Sequence, residues 1–176
     1  MDDEFIEFIW EYMFRTAQAS GYETLRMHAE EGAEAIESPE VDEDFERERM
    51  LESIRDITLF FVFATALAED LMPKIVHDQA ITPDFRGPEI REALQGCLGY
   101  HDARDLLYKC GIIDNGTNSE LAQAKKIRNK FAHGSPDWLV PSRFGSPSTQ
   151  IDRTHRAITT LLEIYQESRR ASSDRN

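Results

Sequence analysis

Apolar positions recur at three- and four-residue spacing along most of the chain, which is the mark of amphipathic helices, and the fold class expected is all-α. A first helix is expected over residues 3–19. Phe5, Ile6, Ile9, Trp10, Met13 and Phe14 form its wide apolar stripe, and Glu4, Glu7 and Glu11 face away. Gly21 interrupts it. A second stretch, 22–36, is rich in alanine and glutamate and can bury little, and Ser38-Pro39-Glu40 then breaks the chain. Residues 1–38 thus read as an N-terminal helical hairpin, wrapped onto the core or onto a partner chain, ahead of a bundle over 39–168.

The longest helical pattern runs from Asp42 to Met72 and is expected to end at Pro73. Its first half is highly charged. Its second half, ITLFFVFATALAEDLM, is apolar nearly all round, as in a helix enclosed by others or by a dimer mate. Residues 73–86 read as a connector, with room for one helical turn at Lys74 to Asp78. Pro88 suits the first position of the next helix, whose inner face is expected at Ile90, Ala93, Leu94 and Leu98. Gly96 and Gly99 weaken it, with a kink before Tyr100. Helix resumes over His101 to Cys110, with Leu106, Leu107 and Cys110 inward, and Gly111 stops it. The chain then turns at Asp114-Asn115-Gly116. The last helix is expected from Thr149 or Gln150 to Ser168, with Ile151, Ile158, Leu161, Leu162 and Tyr165 inward, and a disordered tail over 169–176.

The most informative stretch is NSELAQAKKIRNKFAHG, Asn118 to Gly134. Asn118 or Ser119 can cap its first turn. Leu121, Ala124, Ile127 and Phe131 form its inward face. Lys125, Lys126, Arg128 and Lys130 place four cations in its second half, where the helix dipole favours positive charge. Gly134 and Pro136 end it. Arg128 and His133 are five steps apart, so a regular helix sets them ~140° from each other, whereas Asn129 and His133 share a face. The two ends of the pair meet on one ligand only if the helix stops near His133 or a second chain brings its own copy. After Gly134 a long loop, SPDWLVPSRFGSPS, carries Trp138, Arg143 and Phe144 and is either folded over the bundle or part of a site wall.

Composition narrows what such a helix can serve. Acidic residues number 33 against 20 lysines and arginines, a net charge of -13. A body this anionic repels phosphates, so any nucleic acid must enter through a local basic patch, and Lys125, Lys126, Lys130 and Arg143 are the candidate binders. With only five lysines, the surface fits either a high-salt cytoplasm or an ordinary acidic protein. The two cysteines, Cys97 and Cys110, form no zinc pattern and are expected as buried free thiols in a reducing compartment. No metal site and no cofactor are expected. The longest apolar run, Ile57 to Ala68, is too short to span a bilayer, and the acidic start MDDEF is no signal peptide, so a cytoplasmic protein is expected. His28, His77, His101 and His155 are scattered singly and read as ordinary surface or core residues.

The string Arg128-Asn129-Lys130-Phe131-Ala132-His133 resembles the Arg-x4-6-His signature of the HEPN superfamily, including the polar residue after the arginine. The longer run GIIDNGTNSELAQAKKIRNKFAHG is similar to the mannitol-repressor-like branch, and the likeness covers roughly residues 50–165. It implies a helical bundle with a four-helix core that dimerises. It further implies a metal-independent endoribonuclease, as in toxin or defence systems, with a composite site from both chains that leaves a 2′,3′-cyclic phosphate. Arg128, Asn129 and His133 would be its catalytic residues, with an antitoxin or regulatory protein as partner. The alternative within the same family is a non-enzymatic binding or regulatory module. One subgroup carries a tyrosine two residues after the histidine. Ser135 stands there in this chain, so the likeness does not extend to that switch.

Overall fold

A computed structural model describes residues 43–133 and 146–173. The hairpin expected over 1–38, most of the loop after His133 with Trp138, Arg143 and Phe144, and residues 174–176 lie outside the described residues. Among the described residues the fold is all-α, with no strand. Its helices are α1 (Glu43–Ile75), α2 (Pro88–Cys97), α3 (Tyr100–Lys109), α4 (Asn115–Ala132) and α5 (Pro147–Ser173). No helix among them is long and apolar enough to cross a membrane.

α1 does not end at Pro73. It runs through to Ile75 and continues into a π-type turn, Val76–Ala80. A proline inside a helix costs about 3 kcal/mol, because it removes one hydrogen bond and crowds a carbonyl. Leu71, Met72, Ile75 and Val76 are fully buried around it. At about 1.5–3 kcal/mol for each buried aliphatic side chain, their packing outweighs the proline. The wider π-type turn takes up the misfit that follows.

Helix ends are set by short-range polar chemistry. Asp114 caps α4, since the Thr117 amide donates to its Oδ1 at 2.7 Å and the Asn118 amide to its backbone oxygen at 3.0 Å. The helix therefore begins ahead of the expected Asn118 or Ser119 cap, and the expected Asp-Asn-Gly turn is its first turn. Ser146 plays the same part for α5, its Oγ accepting the Thr149 amide at 3.3 Å, with Pro147 at the first position. α5 starts two steps ahead of Thr149 and continues to Ser173, through the segment expected as a tail. At the end of α3, Gly111 takes φ +69, the Ile112 amide reaches Leu107 O at 2.9 Å, and the Gly111 amide reaches Tyr108 O at 3.0 Å.

Packing divides the described residues into two compact units. The first holds 43–63, 125–133 and 146–153, with Ile57, Phe60, Phe61, Ile127 and Ile151 buried. Phe61 meets Phe60 edge-on at 5.2 Å and Phe131 of α4 at 6.0 Å between ring centres. The second holds 64–124 and 154–173, with Leu67, Leu71, Met72, Leu107, Leu121, Ile158, Leu161 and Leu162 at its centre. There the Tyr100 hydroxyl donates to Leu121 O at 2.8 Å, and Arg156 of α5 pairs with Glu120 of α4. Buried Lys74 meets Asp70 at 3.0 Å and lies over the Tyr165 ring at 5.8 Å.

The apolar half of α1 is buried at every position over 71–75, while Leu59, Val62 and Phe63 are 45%, 39% and 41% exposed in the single chain. Two burial expectations are corrected. No residue of α2 is buried; Ile90 is exposed, and Leu94 and Leu98 are only half-covered. Cys97 and Cys110 are exposed rather than buried. α2 is tied down by polar contacts instead. The Arg91 guanidinium donates to Asp78 Oδ1 at 2.9 Å, the same oxygen lies 2.6 Å from His77 Nδ1, and His77 Nε2 is 3.3 Å from Gly87 O.

Two outcomes follow from these end and latch contacts. The Thr117 amide bond holds the Asp114 carboxyl below its ordinary value of 3.8. Its stabilising effect is therefore present above pH 3.8 and vanishes as pH falls through the lowered pKa. Asp114→Ala should lower the melting temperature at pH 7 and converge with wild type in strong acid, read by circular dichroism. Arg91→Ala should speed amide exchange across α2 by at least about tenfold while α1 and α5 keep their protection, because no apolar burial holds α2 once the latch is cut.

Candidate functional site

α4 carries the sequence-predicted site, and its amphipathic pattern explains the side-chain placement. Leu121, Ala124 and Ile127 are buried, and Phe131 is half-buried against Phe61. This fixes the roll of the helix, so residues on the other side must face solvent. Asn129, Lys126, Lys130 and His133 are exposed, and Lys125 and Arg128 are half-buried. Arg143 lies outside the described residues.

The helix ends at Ala132, yet the His133 amide still bonds to Asn129 O at 3.1 Å and to Lys130 O at 3.2 Å. Such a shared bond is common in a last turn. His133 therefore leaves the helix from the helical screw itself, and its direction stays ~140° from that of Arg128. Within one chain the guanidinium turns instead to its neighbour, Nη1 donating to Asn129 Oδ1 at 3.3 Å. Asn129 stands on the same face as His133, four steps before it. The structure thus brings Arg128 to Asn129 by contact and Asn129 to His133 by register.

Cationic side chains crowd the final turns, where unpaired carbonyls would otherwise leave negative potential. The arginine fork matches phosphate oxygens, and the lysines add charge without direction. Among the described residues no group of three or more His, Cys, Asp or Glu side chains is placed to hold a metal ion.

The other described histidines differ from one another. His77 is buried in the Asp78–Arg91 cluster, His101 is exposed, and His155 is half-buried. The His77 cluster was not visible in the sequence, because its members sit on a π-type turn and a separate helix with no regular spacing. Comparison with protein-family models, curated proteins and solved structures finds no match for this chain.

Exposure of the motif makes a clear stability forecast. Asn129→Ala and His133→Ala should each change unfolding free energy by less than about 0.5 kcal/mol in urea, as for ordinary surface positions. Phe61→Ala, measured beside them, should cost about 3–5 kcal/mol.

Proposed function

We propose that the chain is a metal-independent endoribonuclease of HEPN type, working in the cytoplasm as a homodimer with RNA as substrate. The observation that supports it most is the placement of half-buried Arg128 with exposed Asn129 and His133 at the cationic end of α4. An imidazole and a guanidinium at the end of one helix, on an anionic chain, are the groups that phosphodiester cleavage needs.

In this reading a phosphate of single-stranded RNA docks on Lys125, Lys126 and Lys130, with Arg143 from the following loop. One His133 takes the proton from the ribose 2′-hydroxyl. The freed oxygen attacks phosphorus, and the bond to the 5′-oxygen breaks. The second copy's His133 returns a proton to that leaving oxygen. Arg128 holds the negative charge that builds on the phosphoryl oxygens, and its bond to Asn129 steadies the fork. The products are a 2′,3′-cyclic phosphate and a 5′-hydroxyl. The ~140° divergence of Arg128 and His133 in one chain is the reason to draw the pair from two copies. The setting that fits is a toxin or defence system held in check by an antitoxin.

Wild type, His133→Ala and Arg128→Ala are to be incubated with end-labelled single-stranded RNA in EDTA. Wild type should cleave, and each variant should lose about 10²–10⁴-fold in rate, the usual weight of a proton-transfer group or a charge clamp. Wild-type cleavage that survives both substitutions contradicts the assignment of the site. No cleavage by wild type at any salt contradicts the enzyme and favours a regulatory module of the same family.

A further inference from the structure

Within the second unit, the segment from Ile81 to Cys97 spends its charges unevenly. Arg86 turns back, its Nε donating to Ile81 O at 2.7 Å, and Arg91 donates to Asp78. Both arginines are half-buried. Asp84, Glu89 and Glu92 are exposed, and their side chains have no hydrogen-bond or ion-pair partner among the described residues. What this segment shows to solvent is therefore anionic, although it carries two arginines beside its three acids.

Apolar groups stand among these acids. Phe85 is 69% exposed and Ile90 41%, and Ala93, one turn after Ile90 on α2, is exposed as well. Ile90 and Ala93 lie ~100° and ~160° round the helix from Arg91. The bond from Arg91 to Asp78 thus holds α2 by another side and keeps this apolar pair out of the core. Phe85 sits on a closed turn. Thr82 O accepts its amide at 2.9 Å, Pro83 O accepts the Arg86 amide at 3.1 Å, and the Gly87 amide reaches Phe85 O at 3.0 Å. An aromatic ring held in water by a preorganised turn loses little freedom on contact, which is the property of an interface anchor.

The charge decides between occupants. A second copy meeting this surface about a twofold axis would set the same carboxylates against themselves. A nucleic acid or an anionic lipid surface would meet the same repulsion. The occupant that complements it is a protein segment with apolar side chains flanked by lysine or arginine, as on one face of an amphipathic helix.

We propose that Phe85, Ile90 and Ala93, with Asp84, Glu89 and Glu92 beside them in the same segment, form a docking surface for a cationic amphipathic helix of another protein. Phe85 is the anchor, and the carboxylates steer the approach and set the orientation. The surface uses no residue of the α4 end, so it goes beyond the ribonuclease reading, and its test involves no RNA.

The probe is a fluorescein-labelled helical peptide of roughly 18 residues, long enough to hold a helix, with leucines at i, i+3, i+4 and i+7 and lysines elsewhere. Its binding to the full chain is read by fluorescence anisotropy. Wild type should bind saturably, and less tightly as salt is raised. Phe85→Ala should weaken binding at least about tenfold, and Glu89→Lys combined with Glu92→Lys by a similar factor. All three positions are exposed, so the helical circular dichroism should not change. Glu163→Lys combined with Glu167→Lys makes the same change in net charge at exposed positions of α5 and should leave binding as in wild type. No saturable binding, equal binding in every variant, or an equal loss in the α5 control overturns the proposal. Self-association or binding to anionic vesicles that Phe85→Ala abolishes assigns the surface to a second copy or to a membrane and overturns it as well.

Discussion

The apolar packing of α1 is the constraint on which the rest of the structure depends. In the second unit Ala64, Leu67, Ala68, Leu71, Met72 and Ile75 are sealed from solvent. That packing carries the helix through Pro73, which local propensity alone would not permit. In the first unit, Phe61 sets the roll of α4 through Phe131, and the roll of α4 decides which of its side chains face solvent. The exposure of Asn129 and His133 is thus a remote result of apolar packing on α1.

Polar contacts do a different job. Asp114, Ser146 and Gly111 decide where helices start and stop, and the Asp78 carboxylate holds α2 in place of an apolar face. The division explains why one helix pattern of α2 led to burial only in expectation. Its Ile90 and Ala93 have the right spacing, but Arg91 and the His77 ring anchor the helix from another direction. Cys97, at the last position of α2, is exposed with it.

Much of the helical order was legible in the chain. The inward faces of α4 at Leu121, Ala124 and Ile127, and of α5 at Ile151, Ile158, Leu161, Leu162 and Tyr165, follow from spacing alone. Pro88 at the start of α2 and Gly111 at the end of α3 were equally readable. The errors share a cause. Pro73 ends helices by local rules but yields to tertiary packing, and Asp114 was read as a turn residue when its carboxylate was free to cap. Of the site, the residue types and the helix end were legible, while the turn of Arg128 toward Asn129 needed coordinates.

The account's central claim is that the end of α4 is a phosphate-recognising surface on an anionic chain. Proton–nitrogen correlation spectra of the His133 imidazole and the Arg128 guanidinium, recorded while a 2′-O-methyl oligoribonucleotide is added, test it without turnover. The account predicts saturable shifts at both side chains and at the Asn129 amide group, weakening steeply as salt is raised. Saturable binding that shifts other residues and leaves Arg128 and His133 unmoved would contradict it.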